Sequence, residues 1–200
     1  MPTKLETAFR KFSWETSRRA SLSGLITEPL LEHALQLHIA GRYEEALAEL
    51  AQIPEETRPS AAWRILGHAE HGRGNHEAAI VAHIKSRAMN EARGDPSSAS
   101  DDEVNLAAVL ISMRRYEDAW EATERARTLA PRNPASWLPR ISILNRQERA
   151  AELERELRTL LREMPEFADS SRFRDHLEND TDFIGVADLI ANIRREPCVS

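Results

Sequence analysis

Along residues 100–133 the apolar positions fall three and four apart: Leu106, Ala107 and Leu110, then, past a polar interval at Arg114 to Tyr116, Trp120, Ala126 and Leu129. That spacing is helical rather than the alternation of a strand, and it predicts two helices of about a dozen residues joined by a short turn. The phrase "GRYEEALAEL" at 41–50 returns as "RRYEDAWEAT" at 114–123, with Tyr43 or Tyr116 three residues before Ala46 or Ala119. A looser copy, "GNHEAAIVAH" at 74–83, has His76 where the tyrosine stood.

The copies are periodic. Ala46, Ala79 and Ala119 stand 33 and 40 apart, and the longer gap contains "EARGDPSSAS" at 91–100, a Gly/Pro/Ser-rich stretch expected to be a loop. Removing about six residues there restores a 34-residue unit. Trp63 and Trp137 are 74 apart, two such units plus the same six, and Pro131 and Pro165 are 34 apart, each after a long helical stretch where proline can end a helix. Four helical hairpins are therefore expected, at 27–59, 60–93, 100–133 and 134–167. The third should start cleanly after a loop over 91–103, because Ser100 and Glu103 have capping-box spacing. Before the hairpins, "TKLETAFRKF" predicts an amphipathic helix within 1–26, followed by a Ser/Gly/Pro hinge. After them, 168–200 predicts two more helices, the second carrying Phe183, Val186, Ile190 and Ile193 on one stripe with Thr181 or Asp182 as its cap. An array of stacked hairpins needs such a closing element.

The arrangement resembles the tetratricopeptide repeat, and the resemblance covers about 140 of the 200 residues. Unit 100–133 supplies Leu106, Ala107, Leu110, Tyr116, Ala119, Ala126 and Pro131; unit 60–93 supplies Trp63, Leu66, Gly67 and Ala79; unit 27–59 supplies Leu30, Ala34, Leu37, Tyr43 and Ala46. The last unit keeps Trp137, Leu144 and Pro165 but has Arg140 and Leu153 at expected leucine and alanine positions, as a degenerate or capping unit would. The resemblance implies an all-α, right-handed solenoid of antiparallel helical hairpins with extra N-terminal and C-terminal helices. It also implies a concave groove lined by the first helix of each unit: Leu31, Leu35, His38 and Ile39; Arg64, His68 and His71; Val104, Asn105, Ala108 and Ile111; Leu138, Ser142, Asn145 and Arg146. Some relatives hold an acidic peptide end with lysine and asparagine from successive repeats. Arg64, His68 and Asn105 echo that clamp in part, but Ala135 and Pro139 stand where its further bases belong.

Charge and chemistry narrow the function. The net charge of −6 argues against a nucleic-acid binder. Residues 1–26 carry +3 and residues 166–200 carry −4, and 24 of the 27 bases are arginines, suited to pairing with carboxylates. Cys198 is the only cysteine, which excludes an intrachain disulfide or a cysteine-built zinc site. No stretch approaches the roughly 20 apolar residues of a membrane span and the N-terminus lacks a signal core, so a cytoplasmic chain is expected. His68, His71, His76 and His83 fall close together, but the repeat register makes His76 and His83 packing positions, and no acid or cysteine accompanies the other two as a metal ligand. Phosphate loops, nucleophile elbows and zinc-protease motifs are absent from the sequence. The expected function is a protein-interaction adaptor that takes a partner segment, acidic by preference, in the groove, with no cofactor and no metal. The alternative is a scaffold that self-associates into a homo-oligomer through the apolar face of the N-terminal helix or an imperfect end cap, and Phe9, Phe12 and Trp14 form a candidate N-terminal interaction face. A metal- or thiol-dependent enzyme is a third reading, resting only on the histidines and Cys198.

Overall fold

The computed structural model describes residues 27–195. The expected N-terminal helix with Phe9, Phe12 and Trp14, and the tail with Cys198, lie outside the described residues. Among the described residues the chain is all helical, with eleven α-helices, three short 3-10 turns and no strand. In order they are α1 (Thr27–Ile39), α2 (Tyr43–Ala51), α3 (Ser60–Gly72), α4 (His76–Ala92), α5 (Pro96–Ser112), α6 (Tyr116–Leu129), α7 (Trp137–Arg146), α8 (Ala150–Glu163), α9 (Pro165–Ala168), α10 (Ser171–Asn179) and α11 (Val186–Arg195). No helix among them is long and apolar enough to cross a membrane.

One turn design recurs through the chain. α1 closes on Gly41 at φ 76°, whose N–H donates to the His38 carbonyl at 2.9 Å while the next residue, Arg42, donates to Leu37 at 2.9 Å. α3 closes likewise on Gly74 at φ 87°, α5 on Arg114 at φ 59° and α7 on Glu148 at φ 57°, each with the same two bonds. A left-handed residue that satisfies the last free carbonyls is a common way to end a helix. Positions 41, 74, 114 and 148 are 33, 40 and 34 apart. These are the spacings of the alanine and proline markers, so the sequence period is that of the turns closing α1, α3, α5 and α7; the same design also closes α4, off this period, at Gly94.

The 91–103 segment corrects an expectation. It is not a loop: α4 runs to Ala92 and α5 starts at Pro96, so that only Arg93 to Asp95 link them, with Gly94 at φ 68°. Asp95, not Ser100, caps α5 by accepting the Ser98 N–H at 3.0 Å, and Pro96 sits in the first turn, where its missing N–H costs nothing. Ser100 lies inside the helix, its hydroxyl donating to the Ala126 carbonyl at 2.8 Å. The extra residues lengthen α4 and α5 to 17 residues each.

From α1 to α8 each helix packs on the next, and α1, α3, α5 and α7 also touch in succession. Alanines permit the close approach: Ala34, Ala46, Ala62, Ala69, Ala79, Ala82, Ala107, Ala119, Ala122 and Ala126 are fully buried. Gly67 of α3 serves the same end, since a Cβ there would lie 2.7 Å from the His83 ring of α4. α3 and α5 are enclosed almost completely by this packing.

The C-terminal segment closes the last pair. Phe173, Phe183, Val186 and Ile190 join one core with Leu138, Ile141 and Leu144 of α7 and Leu153, Leu157 and Leu160 of α8. Two details differ from expectation. Phe183 lies in the 3-10 turn Thr181–Phe183, ahead of α11, because Gly185 at φ 80° interrupts the helix. The cap of that turn is Asp180, whose carboxylate accepts the Asp182 N–H at 2.9 Å.

Candidate functional site

Most of the expected groove residues are interior. Leu31, Leu35, Val104, Ala108, Ile111 and Leu138 are buried in the packing between helices, and His38, His68, His71 and Asn105 are buried as well. Ile39 is exposed, and Arg146 keeps part of its side chain in solvent.

Arg64 is 2% exposed, which corrects its expected role as an open donor to a partner's carboxylate. Its Nε donates to Asp102 Oδ1 at 2.7 Å and its Nη2 to the Ser98 carbonyl at 3.0 Å. The other Asp102 oxygen accepts from Ser86 at 2.9 Å and Asn90 at 2.7 Å. Arg64 therefore ties α3 to α5, with α4 completing the carboxylate's shell. Burial opposes the Arg64 charge, but Asp102 outweighs it and holds the guanidinium pKa above its ordinary value. Burial pushes the Asp102 carboxyl up, against the pull of Arg64, Ser86 and Asn90. The short charge-assisted bond and the satisfied carboxylate favour the ionised form. Glu103 forms a second buried junction, bridging Arg87 of α4 and Arg125 of α6.

The histidines pack as rings. His68 stacks on His38 with centroids 5.5 Å apart and meets the His83 edge at 5.0 Å; His71 contacts His76 at 5.3 Å and bonds Ser112 Oγ at 3.0 Å. His83 is 1% exposed, and among the described residues neither ring nitrogen has a hydrogen-bond partner. Burial, then the nearby His71, Arg64 and His38, lower its pKa to about 3. Burial and the same neighbourhood hold His68 well below its ordinary value. Among the described residues no three His, Cys, Asp or Glu converge as metal ligands.

At α7 the three polar residues expected to face a partner converge on the chain itself. Ser142 Oγ donates to Asp182 Oδ2 at 2.7 Å, Arg146 Nε donates to Asp182 Oδ1 at 2.7 Å, and Asn145 Nδ2 donates to the Asp182 carbonyl at 2.8 Å. This wall does take an acidic segment, and the segment is residues 180–184. Sequence reading placed the two ends of this contact separately and had no signal that joined them.

An open feature that sequence reading missed lies at the other edge of the same helices. A cleft of about 310 Å³ forms where the start of α6 meets the turn between α7 and α8, lined by Tyr116, Glu117, Trp120, Glu121, Ile143, Gln147 and Arg149. The Arg140 guanidinium lies over the Trp120 ring at 3.8 Å and that of Arg149 at 5.8 Å. The spacing of Glu117, Trp120 and Glu121 on one helical face was the available signal. Compared with protein-family models and with curated proteins, the chain matches none.

Proposed function

We propose that this chain is a tetratricopeptide-like protein-interaction module: a right-handed solenoid of four antiparallel hairpins, 27–59, 60–93, 100–133 and 134–167, that binds a segment of another protein. The observation that carries the reading is the turn repeated at 41, 74, 114 and 148 with the first helices of successive pairs in contact. A stack of this kind is rigid, extended and without a chemical centre of its own, which suits binding more than catalysis. The proposal assigns the chain no reaction and no cofactor. With Arg64, His68 and Val104 buried and α7 holding Asp182, the proposal puts the partner on the open faces and edges of the helices rather than deep between α3 and α5.

The test is recovery of the full chain from its native host, followed by calorimetry of the co-purifying protein after separate purification. Stoichiometric, saturable binding to a monomeric chain is the expected result. A second reading, a self-associating scaffold, draws on Val81 and Ile84, one turn apart on α4 and 52% and 40% exposed. Light scattering over a wide concentration range separates the two. A mass that climbs to a multiple of the chain, with no heterologous protein bound, favours the scaffold and defeats the adaptor.

A further inference from the structure

We propose that the cleft between α6 and the α7–α8 turn is a site for one basic side chain, a lysine or arginine presented by a partner protein. This names the partner's chemistry and rests on the interaction-module reading above. The cleft's 310 Å³ lies at the small end for ligand sites, enough for one long side chain rather than a cofactor.

Its lining selects the sign of charge. Glu117 and Glu121 are both exposed, one helical turn apart on α6, with Trp120 between them on the same face. Two arginines stand close by, but their charge is already matched elsewhere. Arg140 is bound by Glu124 and Glu156, and Arg149 by Glu152 through bonds of 2.7 and 2.6 Å. Glu117 makes no direct ion pair among the described residues but attracts Arg149 at longer range, and Glu121 is approached by Arg125 at 3.7 Å. Along the lining two carboxylates, Glu117 and Glu121, stand against one guanidinium, Arg149, which Glu152 also holds, so the charge at the mouth is negative.

The floor suits the stem of such a side chain. Long basic residues lay their methylenes on apolar surface and keep the charged head at polar groups. Ile143 and the Trp120 ring offer that surface, and the carboxylates of Glu117 and Glu121 flank the exit. The indole already serves as a platform for cations, with Arg140 stacked on it and Arg149 near the outer limit of cation–π attraction. An acidic side chain would meet two carboxylates. An apolar one would strip their water and return nothing.

The probes are capped tripeptides, acetyl-glycyl-lysyl-glycine amide and its arginyl counterpart, with the glutamyl peptide as control, titrated into the nitrogen-15-labelled full chain. The expected result is a saturable shift of the Trp120 indole N–H with the basic peptides only. Replacing Glu117→Gln and Glu121→Gln together, both at exposed positions, should weaken that binding about five-fold or more. Added salt should weaken it further through screening. The proposal is overturned if the Trp120 indole does not move, if the glutamyl peptide moves it equally, or if the double variant binds as tightly as the parent. If the cleft fails these tests while a co-purified partner still binds the chain with undiminished affinity, the interaction-module reading survives without it.

Discussion

Asp102 illustrates how much can rest on one side chain. It holds Arg64, Ser86 and Asn90, residues of two other helices, around a single buried carboxylate. Replacing Asp102→Asn strands the Arg64 charge, and removing one member of a buried pair costs about 3–5 kcal/mol. Denaturant melts should show that loss, whereas Glu45→Gln, which removes an exposed pair with Arg42, should leave the melt almost unchanged. Gly67 is a steric counterpart. Gly67→Ala drives a methyl into the buried His83 ring and should cost about 1–3 kcal/mol by the same measurement. Arg114 points the other way. A non-glycine residue at φ 59° is strained, so Arg114→Gly should be neutral or stabilising by up to about 1 kcal/mol, unlike a glycine placed inside a helix.

Among elements, the C-terminal segment has the clearest task. α7 and α8 present Leu138, Ile141, Leu153 and Leu157, and Phe183, Val186 and Ile190 cover them. Each such side chain contributes about 1.5–3 kcal/mol on burial. Deleting residues 166–200 should therefore lower the melting temperature of the whole chain and produce binding of a hydrophobic dye. Asp182→Ala is the milder form, leaving Ser142 and Arg146 without their acceptor while the apolar cover stays. It should cost about 1–3 kcal/mol. If the truncation melts like the parent, the segment is an appendage. The elements themselves were largely legible in the sequence, because Tyr43, Tyr116 and the alanines after them mark helix starts by local periodicity. The linker at 93–95 was not. Ser and Gly in "EARGDPSSAS" suggest a loop, but Pro96 and Asp95 together make a good helix start, and the buried Ser100 and Asp101 keep polar residues helical through bonds to α6 and Asn133.

At the scale of the whole molecule, buried histidines set an acid limit. His68 and His83 are held neutral by burial and by one another's neighbourhood, and burial and Arg172 lower His176 to about 4 against Asp175. A base whose folded pKa lies below its unfolded value of about 6.5 contributes stability above that value and loses it as the pH falls towards the folded one. Asp180 opposes them. Burial raises it to about 6, so it contributes most below the ordinary aspartate range and loses that contribution as the pH rises through 6. Among these four groups, around pH 5, the three histidines take up protons on unfolding and Asp180 releases one, so proton uptake prevails. Stability should fall with acidification between about pH 6 and 4. Urea titrations across that range measure it. His83→Phe, which keeps a ring in the same site, should flatten the slope by about one proton, and an unchanged slope would show that His83 titrates freely.

The sequence by itself determined what depends on near neighbours. Helix type, the 33-, 40- and 34-residue rhythm and the apolar stripes of α8 and α11 all follow from spacing within one or two turns. Left-handed turn residues were half legible, plain at Gly41 and Gly74 and hidden at Arg114 and Glu148, because a side chain gives no local sign of the conformation that packing imposes on it. Which polar residues face outward was decided only by the tertiary structure. Arg64 and Asp102 are 38 residues apart and became internal because the chain brings an opposite charge to a place water cannot reach, while Arg146 and Asp182, 36 apart, join a partly exposed arginine to a buried carboxylate. Burial without a partner would be prohibitive and burial with one is tolerable, so the fate of a charge is set by what folds against it. The same holds for the Trp120 cleft. Its residues come from α6, α7 and the turn before α8, and no local pattern places Ile143 and Arg149 beside Glu117; only the stacking of successive helix pairs does.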